Sequence, residues 1–125
     1  MKNTFQIKGA PAPIGPYSQA VEKNGTLFVS GQIPLNPMNG ELIASGIEDE
    51  AHQVMKNLQA LLEVSSYSWN DVMKCSIFLK NLNDFETVNK VYASYFTDNF
   101  PARECVEVSK LPKNVNVEIS LIAIK

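Results

Sequence analysis

The fold of this chain is decided by residues 47–79, IEDEAHQVMKNLQALLEVSSYSWNDVMKCSIFL, where a helical pattern gives way to a strand pattern. Up to Val64, apolar residues recur at three- and four-residue steps and form one stripe on an amphipathic helix. Three acidic residues, 48–50, crowd the first turn, where the helix dipole favours anions. From Asp71 to Leu79 the chain is mostly apolar, which predicts a largely buried strand. The stripe consists of Ala51, Val54, Met55, Leu58, Leu61 and Leu62.

The residues before this stretch predict three strands. Thr4–Ile7 is a short alternating segment, and three prolines between residues 11 and 16 prevent it from continuing. Tyr17–Glu22 and Thr26–Gln32 flank an Asn-Gly pair at positions 24 and 25, which is a strong hairpin signal. A further turn is predicted at residues 37–40, PMNG.

The residues after this stretch predict one helix and two strands. The helix spans Asp84–Phe96, with Asn83 as N-cap and Glu86 completing a capping box. The strands span Arg103–Val108 and Val115–Ile124.

The predicted order is therefore β-β-β-α-β-α-β-β, an α+β fold in which two helices cover one face of a single mixed sheet. A length of 125 residues suits one domain, residues 1–125. The last strand is apolar on both sides, since Val117 and Ile119 alternate with Ile122 and Ile124. Because the helices leave its second face uncovered, we expect self-association through that face.

Composition excludes several classes of protein. The net charge is −2 and no run of lysines occurs, so nucleic-acid binding is not expected. No apolar run approaches the roughly 20 residues that span a membrane. The two cysteines make no disulfide framework, and a reducing, cytoplasmic location is expected. The chain has no nucleotide-binding glycine motif and no metal-ligand spacing, so we expect neither a metal nor another cofactor.

Arg103 is the only arginine beside ten lysines, and it suggests a site for an anion. A guanidinium grips a carboxylate through two parallel hydrogen bonds, which lysine does not do. Alternation places Arg103 and Cys105 on one strand face. If the last two strands pair, Glu118 could meet Arg103 in one pocket. A structural ion pair at a subunit interface explains the same residues equally well, and twelve asparagines show that arginine could be rare for compositional reasons.

Other candidates have weaker support. Tyr17 follows a Gly-Pro corner, where packing is its commoner role. Gly31, after Ser30, could let a ligand approach the backbone, although an ordinary β-bulge explains it too. His52 falls on the polar flank of the first helix and is expected in solvent. Cys105 has a neighbouring cation but no histidine to act as its base.

The chain resembles the reactive-intermediate deaminase family (RidA, formerly YjgF) along nearly its whole length. The resemblance is strongest at residues 101–112, PARECVEVSKLP, and at residues 117–119. Further matching segments are GPYSQA at 15–20, VSGQIP at 29–34, NL at 57–58, Lys74, FL at 78–79, NDF at 83–85, Asn89 and Tyr92.

This resemblance implies a chorismate-mutase-like fold, a homotrimer with sites between subunits, and hydrolysis of 2-imino acids and their enamine tautomers to 2-keto acids and ammonia. Such intermediates, among them 2-iminobutanoate and 2-iminopropanoate, are released by pyridoxal-phosphate enzymes such as threonine dehydratase. Arg103 matches the family's carboxylate-binding arginine and Glu118 its water-positioning glutamate. Pocket positions are matched by Tyr17, Ser30, Gly31, Asn89, Cys105 and Pro112.

This sequence departs from the family pattern in three places. Glu104 replaces a small residue, Ser120 replaces an acidic one, and the segment 97–100 is short. Two other functions stay open at this point: a non-enzymatic regulator that binds small carboxylates, and a ribonuclease or translation inhibitor, which the acidic charge balance disfavours. A chaperone role, which the resemblance also allows, leaves no signal in the sequence.

Overall fold

Six strands and two helices follow one another in the predicted order. The structure is a computed structural model that describes all residues, 1–125. The strands and helices are β1 (Asn3–Phe5), β2 (Ala20–Lys23), β3 (Thr26–Gln32), α1 (Ile47–Val64), β4 (Val72–Leu79), α2 (Phe85–Ala93), β5 (Ala102–Glu107) and β6 (Val117–Ile124).

The strands form one mixed sheet in the order β1-β2-β3-β6-β4-β5. Only β4 and β5 are parallel, and every other pair is antiparallel. This follows from α2, which joins β4 to β5 and carries the chain back to the starting end of the sheet. The proposed pairing of the last two strands is therefore wrong, because β4 lies between β5 and β6.

Both helices pack on one face of the sheet and bury a single core of 22 residues. Strand β6 shows the division: Val117, Ile119 and Leu121 are buried beneath the helices, whereas the residues between them are only half-buried. We call the uncovered side the open face. Phe28 and Ile124 on this face are 49% and 47% exposed.

The second helix is shorter than predicted. It begins at Phe85 and ends at Ala93, after a 3₁₀ turn at Leu82–Asp84. The capping box proposed at Asn83 is absent; the Asn81 side chain instead accepts a hydrogen bond from the Asn83 amide at 2.9 Å. A capping box does form at Ser68 and Asp71, where none was predicted.

The hairpin prediction is confirmed at Asn24-Gly25, whose φ angles of +52° and +81° suit a type I′ turn. Gly25 also lets the chain's last residue approach, since a Cβ there would lie 2.6 Å from the Lys125 carbonyl oxygen. Neither helix has the length and the apolar character needed to cross a membrane.

Candidate active site

Arg103 projects from the edge strand β5 towards helix α2, which holds its guanidinium in place. Nη1 donates a hydrogen bond to Asn89 Oδ1 at 2.6 Å. The guanidinium carbon lies 5.0 Å from the centre of the Tyr92 ring and 5.6 Å from that of Phe85. These distances suit cation–π contacts, so one amide and two aromatic rings fix the orientation of the cation.

No carboxylate neutralises Arg103. The chain contains a single ion pair, between Lys74 Nζ and Glu104 at 3.1 Å on the open face. Asn89 engages one N–H of the five that a guanidinium carries. The remaining N–H groups of the Arg103 guanidinium are therefore available to donate hydrogen bonds to an anion from outside the chain.

Cys105 follows Arg103 on the same strand face and borders an open cavity of about 470 Å³. The other lining residues are Leu82, Asn83, Phe85 and Glu86. Burial raises the pKa of the Cys105 thiol, and the Arg103 charge only partly opposes this. The thiol stays protonated at neutral pH and lines the cavity as a weakly polar group.

Glu118 lies on the open face of β6, opposite Phe78 of β4. It is flanked in sequence by Val117 and Ile119, which point into the core with no exposed surface. Burial raises the pKa of the Glu118 carboxyl, and no side-chain or backbone donor in the chain bonds to it. A half-buried carboxyl with a raised pKa and no donor is the kind of group that is found at functional sites more often than elsewhere.

Ser30 and Gly31 form an irregular step in β3 beside Glu118. The pairing of β3 with β6 slips between Val29 and Gln32, which confirms a bulge here. The Ser30 hydroxyl donates to the Ser18 carbonyl at 2.7 Å, and its amide donates to the Gln19 carbonyl at 2.8 Å.

Tyr17 directly precedes Ser18 and Gln19, whose carbonyls accept these hydrogen bonds from Ser30. It is 55% exposed. Ser30, Gly31 and Glu118 thus form one group, which, with Tyr17 in the adjoining segment, we call the Glu118 half-site. Arg103, Asn89 and Cys105 form a second group, the Arg103 half-site.

The two half-sites do not meet within one protomer. Arg103 points to the helix side of the sheet and Glu118 to the open face, so the single pocket expected from sequence does not form in one chain. Pro112 opens an exposed 3₁₀ turn ahead of β6 and contacts neither group by a hydrogen bond. Glu104 points away from Arg103, as predicted, and accepts a hydrogen bond from Ser76 at 2.5 Å.

His52 is not free in solvent, contrary to the prediction. Its Nδ1 lies 3.0 Å from the Tyr95 hydroxyl in a groove between the helices, and the two rings contact each other. No three His, Cys, Asp or Glu side chains come close enough together to hold a metal ion.

Phe85 and Tyr92 were noted from the sequence only as residues that match the family pattern, and neither was given a role in the site. The structure shows that both rings contact the guanidinium. The available signal was the spacing of Phe85, Asn89 and Tyr92, which are four and then three residues apart and so share one helix face.

Comparisons with known proteins show the family of the chain. Residues 7–125 match the family model described as Endoribonuclease L-PSP. The chain is 50% identical to a RutC family protein of Pyrococcus horikoshii, covering 100% of this chain and 99% of the relative. It is 44% identical to the 2-iminobutanoate/2-iminopropanoate deaminase of Escherichia coli K12, again covering 100% and 99%.

A solved structure extends the likeness to three dimensions. The Escherichia coli protein TdcF, crystallised with bound serine, superposes with a TM-score of 0.92 at 38% identity and covers 98% of each chain. The family resemblance and the two-helix, six-strand fold expected from the sequence are thereby confirmed. This chain belongs to the Endoribonuclease L-PSP family, which includes the RidA (YjgF) proteins and the RutC proteins.

Proposed function

We propose that this protein hydrolyses 2-imino acids and their enamine tautomers to 2-keto acids and ammonia. The observation that carries the proposal is the state of Arg103, a guanidinium clamped by Asn89, Phe85 and Tyr92 without a carboxylate partner. Ordering a long cationic side chain costs conformational entropy. That cost is offset when the fork binds a ligand's carboxylate.

A small 2-imino acid suits the surroundings of Arg103. Its carboxylate takes two parallel N–H donors, which fixes the adjacent C=N carbon. Its aliphatic side chain can enter the cavity bordered by Leu82, Phe85 and Cys105. Two relatives support this ligand class: one is named a deaminase of 2-iminobutanoate and 2-iminopropanoate, and the other was crystallised with an amino acid.

Glu118 provides the proton transfers in this proposal. Its carboxylate removes a proton from water, and the water oxygen bonds to the carbon of the protonated imine while the C=N π electrons move to nitrogen. The resulting neutral carbinolamine takes that proton back from Glu118 on nitrogen, the C–N bond breaks and ammonia leaves, while loss of the hydroxyl proton forms the C=O bond of the keto acid. A carboxyl whose pKa is raised by burial is better suited to taking up and returning protons near neutrality. Positioned acid–base assistance of about 10²–10⁴-fold is sufficient, because imines already hydrolyse in water.

The site is completed between protomers in this proposal. A 2-imino acid spans only a few ångströms, and one protomer presents Arg103 and Glu118 on opposite sides of its sheet. We assign a homotrimer in which the Arg103 half-site of one protomer faces the Glu118 half-site of its neighbour. The apolar residues Phe28, Val106 and Ile124, each more than 40% exposed on the open face, support burial of that face against other copies.

The first test is the rate at which 2-iminobutanoate, generated by threonine dehydratase, is converted to 2-ketobutanoate in the presence of a competing trapping agent. Arg103→Ala is expected to lower kcat/KM at least about 30-fold, since losing a charged bidentate contact costs about 2 kcal/mol or more. Arg103→Lys should recover only part of this, because an ammonium lacks the planar fork.

Lys56→Ala is the matched control, because Lys56 is an exposed cation on the other helix, α1. Its rate should equal that of the unmodified protein. Turnover that survives in Arg103→Ala, with the oligomer intact, rejects the proposal.

A second function is consistent with the same pocket, namely a regulator that binds small carboxylates without catalysis. The serine-bound relative favours carboxylate binding as such. Calorimetry with 2-ketobutanoate separates the two functions. Binding that requires Arg103, together with a deaminase rate equal to the background, would select the regulator.

Nucleolytic cleavage, which the family's description names, is not proposed. The chain has a net charge of −2 and one histidine, and that histidine pairs with Tyr95. RNA cleavage that persists through further purification and disappears in Arg103→Ala would reverse this choice.

A further inference from the structure

Gly31 differs from the other five glycines of the chain in its backbone. Glycines 9, 15, 25, 40 and 46 all have positive φ, where side chains are strained. Gly31 does not, so its φ angle gives no reason for a glycine. The space around its missing Cβ does.

The space above Gly31 is occupied by the Glu118 side chain. An ideal Cβ on Gly31 would lie 2.8 Å from Glu118 Cδ and 3.0 Å from Cγ, and would overlap the carboxylate oxygen Oε2. Carbon atoms in contact normally stand about 3.5–4.0 Å apart. An alanine at position 31 and the present position of Glu118 are thus incompatible.

The backbone of Gly31 has little freedom to move away from Glu118. Ser30, its neighbour, is tied to the Ser18 and Gln19 carbonyls by hydrogen bonds of 2.7 and 2.8 Å. The Gln32 side chain returns to the Ser30 carbonyl at 3.2 Å. A methyl group on residue 31 would therefore be accommodated by displacing the Glu118 carboxyl.

Nothing else in the chain orients that carboxyl, since no donor bonds to it. We propose that Gly31 is a positioning residue. Because it has no Cβ, the Glu118 carboxyl can pack against the β3 bulge, and this position orients it towards the attacking water. The proposal rests on the function proposed above. It differs from a substrate-binding role, because Gly31 acts through Glu118.

Activity supplies one test through a double-mutant cycle with Glu118→Ala, read from the residual rate above the uncatalysed one. Gly31→Ala should lower kcat about 10- to 100-fold with little change in KM, because the substrate carboxylate remains on Arg103. In Glu118→Ala no carboxyl is left for the added methyl to displace. Gly31→Ala should therefore cause no further loss in the Glu118→Ala background, and losses that multiply would overturn the proposal.

Titration of the Glu118 carboxyl by ¹³C NMR gives a readout that needs no substrate. Displacement towards water should move its pKa down towards the ordinary value in Gly31→Ala. An unchanged pKa would overturn the positioning role even if deamination is confirmed. A lowered pKa in a protein that hydrolyses no imine would leave the positioning role standing and reject the proposed function.

Gly40→Ala is the matched control, since Gly40 has a φ of +74° and no atom lies within 4 Å of the added methyl. It should cost stability through strain and leave kcat and the Glu118 titration unchanged. If Gly31→Ala does not fold, the Gly31→Ala/Glu118→Ala variant should fold, because its methyl meets an empty space. Failure of that double variant to fold would place the requirement in the backbone and overturn the proposal.

Discussion

Two charged residues carry the proposed chemistry, and neither is placed where stability alone would put it. Arg103 is held by contacts that orient it without neutralising it. Glu118 is half-buried and lacks a hydrogen-bond donor, so its ionised form is disfavoured. Functional groups of this kind commonly reduce stability, and the energy is recovered when substrate binds.

The pH dependence of stability should reveal the cost of Glu118. The pKa of Glu118 in the folded protein lies above its ordinary value of 4.5. Burial of the ionised carboxylate therefore destabilises the fold fully at a pH above the folded pKa, and not at all at a pH below the unfolded pKa. Glu118→Gln should therefore raise the midpoint of thermal unfolding at pH 7. The gain should shrink as the pH falls towards 4, as measured by calorimetry across this range.

Glu104→Gln provides a control of opposite sign on the same face. The hydrogen bond from Ser76 and the contact with Lys74 lower the pKa of Glu104, so its ionised form stabilises the fold above the unfolded pKa. The substitution should lower the midpoint at pH 7, by a small amount because the pair is exposed. Equal effects of the two substitutions would contradict the assignment of Glu118 as a desolvated carboxyl.

At the scale of the elements, two buried polar side chains of α1 hold the segments before β6 and after β3 by hydrogen bonds. Near its start, Glu50 is buried and accepts both hydrogen bonds from the Asn116 amide at 3.1 Å, which ties the helix to the entrance of β6. Near its middle, Asn57 donates to the Ile33 and Leu35 carbonyls at 3.2 and 2.9 Å. Because Ile33 follows the bulge at Ser30 and Gly31, α1 also supports the Glu118 half-site.

Removal of the Asn57 amide tests this support. Asn57→Ala leaves two carbonyl groups without their donor in a position that is 4% exposed. We expect a loss of about 1–3 kcal/mol in the free energy of unfolding, measured by urea denaturation with an unchanged m-value. Lys56→Ala, at the exposed neighbouring position, should stay within about 0.5 kcal/mol of the unmodified protein. Equal values for the two variants would show that Asn57 is dispensable.

At the scale of the whole molecule, the sheet has one covered face and one open face, and each bears half of the proposed site. The open face combines apolar side chains, among them Phe28 and Val106, with Glu118 and the Lys74–Glu104 ion pair. Such a surface suits burial against another copy. In the proposed trimer, that burial brings Arg103 of one copy close to Glu118 of the next.

Subunit complementation tests a shared site directly. Arg103→Ala and Glu118→Gln should each be inactive. When they are unfolded together in equal amounts and reassembled, random closed trimers should contain about one quarter intact sites, each formed by two different subunits. The mixture should therefore recover about one quarter of the unmodified rate in the deaminase assay.

Two measurements accompany the mixing experiment. Each variant reassembled alone should stay inactive, and native mass spectrometry should give three times the chain mass of 13.9 kDa for every sample. Recovery of no activity in mixed trimers would place each site within a single protomer. A monomeric mass would remove the proposed assembly.

The sequence predicted local structure well because the signals involved are local. The helix predicted from the apolar stripe over residues 47–64 matches α1, and the hairpin predicted at Asn24-Gly25 is present. The alternation of side chains along β5 correctly predicted that Arg103 and Glu104 point to opposite faces of the sheet. The end of α2 was misjudged because Tyr95 and Phe96 continue its apolar pattern, although both pack against the core beyond the last helical residue, Ala93.

What the amino-acid sequence determined by itself was the order of the elements, the buried side of each, and the residue types able to bind a carboxylate and move a proton. What only the tertiary structure decided was the insertion of β6 between β3 and β4, and with it the separation of Arg103 from Glu118. The physical reason is range. Periodicity and turn preference act over a few residues, whereas strand neighbours are chosen by the packing of the whole sheet beneath its helices. The contact between Gly31 and Glu118 also depends on the packing of the whole sheet, because the two residues touch although they are 87 positions apart in the sequence.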